Sequence, residues 1–350
     1  MKYWFWSVLI LLITIRFLTT RPNFVNGQLV KISGVIYQEP TSSNGNLNFS
    51  LSSFKVSSKT NSEINYGDFV VIEGEYQDGK IVKAKIDKVV VSNNIFIKLR
   101  NKLINFYEVS IPGTKGTVLS AIILGNKTDL SFNLQTKIQN KGISYLLETS
   151  GIKISILAVF LTELFILRFS RKKTILLVIT IIWFYTLISG FQVTTIKASI
   201  ITSIALTALL MGKLKNSLQY TFLTAFIMLF LFPNWLTDIG FILSFTATIA
   251  IILFFVPIQK LLIFLPEIIK DDFAISIAAQ IGITPIVFFV FGNLNLISPF
   301  INTLIIWTIT PIMILGGIAG ILSFVSPSIA KLFLIPIIPL ITYFISIINL

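Results

Sequence analysis

The 350-residue chain is 54% hydrophobic and only 12% charged, with a mean hydropathy of +0.86. A soluble domain carries about 25% charged residues, so most of this chain belongs in lipid. It has no Cys and no His and a net charge of +13, which excludes disulfides, thiol nucleophiles, imidazole bases and Cys/His zinc sites; no enzyme activity, cofactor or metal is expected.

Residues 4–18 form an apolar run flanked by Lys2, Arg16 and Arg21. No small-residue cleavage site follows, so residues 1–21 read as an uncleaved membrane anchor. From 22 to 98 the texture changes to period-2 alternation, in GQLVKISGVIY, NLNFSLSSFKV, GDFVVIEGEYQ and KIVKAKIDKVVV. Asn44-Gly45 and Asp78-Gly79 are hairpin turn signals. Four or five short antiparallel strands in this length predict a small all-β barrel of the OB type. Its lysines and aromatics would suit a single-stranded nucleic acid. Seven interspersed acidic residues, Glu39 to Asp87, favour an ordinary solvated edge instead.

Residues 95–107 (IFIKLRNKLINFY) place Phe96, Leu99, Leu103, Ile104 and Phe106 near one helical face, with Lys98, Arg100 and Lys102 elsewhere. The pattern predicts a basic amphipathic helix on the membrane surface, and residues 99–141 as a whole read as interfacial. The apolar segment that follows Pro112-Gly113 is too short to span.

Residues 142–350 read as a transmembrane bundle of about eight spans, at 143–167, 174–188, 194–211, 218–232, 239–256, 273–291, 297–324 and 329–350. Lys and Arg cluster in alternate loops (Arg168 to Lys173, Lys213 and Lys215, Lys260 and Lys270) and are absent from those between. By the positive-inside rule the cluster after Arg168 then lies in the cytoplasm and the β domain outside. Gly and Pro at 189–190, 257, 285, 316–317, 336 and 339 are expected to interrupt spans.

Several polar residues sit where lipid should begin or within it. Glu148, Ser150, Gly151 and Lys153 mark the seam between the polar entry and the first apolar helix. Lys197 either snorkels to the outer interface or lines a polar path. Asp238 has the position of a helix N-cap. Gln280 lies among small residues, where it can hydrogen-bond across a tight helix contact.

Four blocks, in order, resemble the ComEC-type competence proteins. They are LGNKTDLS followed by NKGISYLLETSGIKISILA; ISGFQVTTIKAS; LFPNWLTDIGFILSFTATIAIIL; and SIAAQIGITPIVFFVFGNLNLISPFINTLIIWTITP. The resemblance implies a polytopic membrane channel component that takes up single-stranded DNA in natural transformation. It also implies a DNA-receptor protein, a cytoplasmic ATP-driven motor and a separate nuclease as partners, beside the lipid bilayer itself. A homo-oligomer is compatible with it.

On this reading Lys153, Lys197, Ser150, Gly151, Glu148 and Tyr145 are candidates for the DNA path. Gly125, Asn126, Lys127, Asp238, Gln280, Pro285 and Asn302 are motif residues. The chain departs from the family pattern at Tyr145 and Lys153, where histidine is usual, at Asn126 and Asp129, and at Ile242 in place of glutamine. These 350 residues lack the metallo-β-lactamase-like segment of longer members, so no nuclease activity is expected of them. Two other readings stay open: a small-molecule or lipid-precursor transporter, and a non-transporting scaffold whose β domain binds a partner.

Overall fold

Alternating β-branched and polar residues build the first part of the molecule. The computed structural model describes residues 14–16, 19, 24–36, 40–43, 46–51, 54–59, 64, 66–77, 80–90, 92–126, 130–140, 150–190, 192–211, 217–263, 265–291 and 298–349. Strands β1 (Leu29–Val35), β2 (Thr41–Ser43), β3 (Asn46–Leu51), β4 (Phe54–Ser58), β5 (Phe69–Gln77) and β6 (Lys80–Val90) form one sheet in the order β1-β5-β6-β4-β3-β2. The named pairs are antiparallel except β4 with β6, which is parallel. A bridge between Ile36 and Leu51 joins the end of β1 to β3 and closes five strands into a ring. That connectivity is the expected OB-like barrel.

The barrel interior holds Ile36, Leu51, Val70, Ile72 and Ile81, all fully buried. Both turn dipeptides lie outside the described residues, but the pairs Ser43↔Asn46 and Gln77↔Lys80 flank them. The domain's lysines are partly neutralised locally. Lys31 pairs with Asp87 at 2.6 Å and Lys83 with Glu75 at 3.2 Å. Hydrogen bonding and charge from Asp87 raise the Lys31 pKa, and donation from Gln77 and Lys83 lowers that of Glu75.

The barrel is joined to the helical part by the short turn before β5 and by helix α1 (Ile95–Ser110). Gly67 adopts φ +90°, and a Cβ built there would collide with Ile97 Cδ1 on α1. The neighbouring Asp68 is buried, and its Oδ1 accepts a hydrogen bond from the Ser92 amide at 3.1 Å. Asn94 caps α1 by accepting from the Phe96 amide at 3.0 Å. Gly67→Ala combines a left-handed backbone position with a steric collision, at a cost of about 1–3 kcal/mol. We expect severalfold faster proteolytic release of the β domain at residues 91–94; an unchanged rate would show that this turn does not hold the domain.

Helix α1 does not turn all of its basic residues away from the protein. Arg100, Leu103 and Tyr107 share one face and are buried, whereas Lys98 and Lys102 are exposed. This face packs on α2 (Thr114–Leu124), an 11-residue helix about 16 Å long and buried from Val118 to Leu124. Arg100 finds a backbone acceptor on α2 (Leu124 O) and Tyr107 finds one farther along the chain (Gly316 O), which outweighs exposure to water.

Beyond α3 (Phe132–Asn140) the chain forms α4 (Ser150–Ile166), α5 (Arg171–Ile188), α6 (Val193–Leu210), α7 (Ser217–Leu231), a 3-10 turn (Pro233–Thr237), α8 (Ile239–Leu261), α9 (Glu267–Phe291), α10 (Ser298–Leu322), α11 (Pro327–Leu334) and α12 (Ile337–Asn349). The chain is therefore a polytopic helical membrane protein with a small β domain. Among the described residues four helical segments are long and apolar enough to cross a bilayer: Val193–Leu210, Ile239–Leu261, Lys270–Val290 and Phe300–Leu322. The pair α11 and α12 passes the same limits only when taken together, and it is bent by 47° at the break between them.

The other segments expected to span do not reach these limits among the described residues, for reasons of length and charge. Helix α5 opens with Arg171, Lys172 and Lys173, and α7 has only 15 residues, about 22 Å. The described part of the 143–167 segment is the 17-residue α4. The 1–21 anchor lies almost wholly outside the described residues; Arg16 stands 4.9 Å over the ring of Phe230 on α7.

The expected interruptions are also fewer. Helices run through Pro257, Pro285, Pro311 and Gly316-Gly317, and they stop only at Ser189-Gly190 and around Ile335-Pro336. Pro339 falls in the first turn of α12, where a missing N–H costs little.

Candidate functional site

A helix leaves its last four carbonyls without intrahelical partners and carries partial negative charge there. Helix α2 ends at Gly125, whose left-handed backbone (φ +75°) returns its amide to Ala121 O. This end is buried inside the bundle, where water cannot satisfy it, and side chains from four other places do so instead. Arg100 Nη1 donates to Leu124 O at 2.7 Å, and Tyr185 Oη on α5 donates to Ile123 O at 2.6 Å. Lys153 Nζ on α4 donates to Ala121 O at 3.3 Å. Gln192 Nε2, just before α6, donates to Gly125 O at 3.2 Å.

The same Arg100 Nη1 also donates to Ile188 O at 3.0 Å, at the carboxyl end of α5. One guanidinium thus bridges the negative ends of two helices. Gly190, at φ +93°, lies beside it: a Cβ there would stand in ordinary contact, 3.5 Å from the guanidinium carbon. Arg100 is 1% exposed, and Lys153 is 4% exposed. Both positive charges therefore face helix ends and not solvent.

A second cluster surrounds Lys197, in the second turn of α6 and 5% exposed. Its Nζ donates to Ser244 O, to Ser244 Oγ at 2.9 Å and to Thr248 Oγ1 at 2.8 Å, all on α8. It also lies 4.3 Å from the centre of the Phe245 ring. An ammonium has three N–H donors, and all three are used on neutral oxygens. Thr186 and Ser199 hydroxyls, 2.6 Å apart, tie α5 to α6 beside it. Lys197 therefore turns inward and does not snorkel to an interface.

The other sequence candidates are dispersed. Tyr145, Glu148 and Lys127 lie outside the described residues, as does the side chain of Ser150; Gly151 is half-buried in the first turn of α4. Asn126 is buried beside the α2 end. Asp238 is the N-cap of α8 and accepts from the Phe241 amide at 2.9 Å. Gln280 is half-buried on α9, where a Cβ on Gly282 would come within 2.6 Å of Ala250 Cβ on α8. Pro285 lies within α9, and Asn302 on α10 is 5% exposed with no partner for its Oδ1 among the described residues. No group of three acidic residues that could hold a metal occurs among the described residues.

Sequence reasoning missed Arg100, Tyr185 and Gln192. The spacing of Arg100 with Leu103 and Tyr107, at i, i+3 and i+7, is the available signal for an inward-facing arginine.

Residues 122–350 match the family model described as "Competence protein". Over 239 residues the chain is 26% identical to "ComE operon protein 3" of Bacillus subtilis (strain 168), a match that takes in 68% of this chain and 30% of that protein. The chain thus spans less than a third of the relative's length. No solved structure matches it. The family model takes in well over half of the chain, and the protein belongs to the competence protein family.

Proposed function

We propose that this protein serves DNA uptake in competence as a membrane path for a single strand, without catalytic chemistry of its own. On this reading it sits in the plasma membrane with the β domain outside. The observation that carries the proposal is the buried Lys197 side chain, held among neutral oxygens within the bundle. A charge at membrane depth is costly and is retained where it serves a path or a partner. Phosphates crossing low-dielectric surroundings need positive potential along the way. Because the Lys197 donors are already engaged, it acts on a passing phosphate through its field and not through a direct hydrogen bond.

Two unit charges about 8 Å apart at an effective dielectric of about 20 interact by about 2 kcal/mol, or about thirtyfold in an equilibrium. We expect Lys197→Leu to lower uptake of labelled DNA by about that factor at normal protein level, and Lys153→Leu with it to lower uptake further. Unchanged uptake in the double variant, with normal protein level, would remove both lysines from the path.

A further inference from the structure

We infer that Arg100 couples the seating of the β domain to the closure of the helix ends inside the bundle. The guanidinium has two sides. On one, its carbon lies 5.8 Å from the centre of the Tyr66 ring, in the turn that carries Gly67 and Asp68. On the other, it holds Leu124 O and Ile188 O, which end α2 and α5. The turn is itself fixed to the head of α1, through Gly67 against Ile97 and Asp68 with Ser92.

A displacement of the barrel therefore acts on Tyr66 and α1 together, and Arg100 is the side chain common to both. Lysine keeps the charge but lacks the planar guanidinium whose carbon lies over the Tyr66 ring while its Nη1 holds both carbonyls. The coupling is a property of the chain and holds whatever the cargo is. Arg100 is a positioning residue in this scheme.

The chain has no cysteine, so one introduced thiol reports its own surroundings. Ser189 is 3% exposed, next to Ile188, and Ser189→Cys is close to isosteric. The test measures modification of that thiol by a small charged reagent in the full-length protein in membranes. Ser323→Cys, also buried, serves as a reporter away from the site. In the Ser189→Cys background we expect Arg100→Lys to speed modification about tenfold, and Tyr66→Ala, in the β domain, about fivefold, with Ser323→Cys unchanged in both.

An unchanged rate in Tyr66→Ala would overturn the inference even if Arg100→Lys responds, since Arg100 would then be a local clasp. Equal acceleration at Ser323→Cys would also overturn it, as the sign of general loosening.

Discussion

Arg100→Met should be among the most destabilising single substitutions in the protein, at about 3–5 kcal/mol. Hydrogen bonds from a charged donor contribute about 1.5–3 kcal/mol each, and a buried acceptor left without a partner adds its own desolvation cost. Arg100 makes two such bonds, to Leu124 O and Ile188 O, at helix ends that water does not reach. Methionine fills similar space but supplies neither donor nor charge, so the end of α5 loses this charge and the end of α2 keeps that of Lys153. Lys98→Met, on the exposed face of the same helix, provides the contrast and should fall within about 0.5 kcal/mol of the parent. Thermal melting of the detergent-purified protein distinguishes the two. If Arg100→Met melts with Lys98→Met, the two carbonyls are satisfied in some other way.

The contrast between those two residues also shows what the sequence makes legible. The OB-like barrel is readable because side-chain direction alternates strictly along a strand, so a period of two in the sequence becomes one buried face in space. Membrane character is readable from composition alone. The position of Arg100 is harder, because an arginine on a mixed helix is ordinarily solvated. Its partners Leu124 and Ile188, distant by 24 and 88 residues, help to make burial favourable. Lys197 is recognisable as anomalous from its place in an apolar run, but its orientation depends on Ser244 and Thr248, which belong to another helix. Helix bounds are harder for a related reason: a hydropathy run records apolarity and not where the helix containing it begins and ends.

Gly320→Ala should destabilise the protein by about 1–3 kcal/mol, and Tyr107→Phe should restore most of the loss. Gly316 and Gly320 stand one helical turn apart on α10, where small residues let a neighbouring helix approach. Tyr107 Oη on α1 donates to Gly316 O at 2.8 Å. A Cβ on Gly320 would collide with that same hydroxyl oxygen, while its distances to Tyr107 Cζ and Leu103 Cδ2 would be 3.4 and 3.3 Å. The obstruction is thus one atom, and phenylalanine lacks it. Tyr107→Phe alone leaves Gly316 O without this donor and costs about 1 kcal/mol. Gly317→Ala is the control: nothing lies within 4 Å of a Cβ there, and alanine favours the helix by about 0.5–1 kcal/mol. Melting temperatures of the four variants test the cycle. If Gly320→Ala and Tyr107→Phe simply add, the hydroxyl is not what limits the approach of α1 to α10.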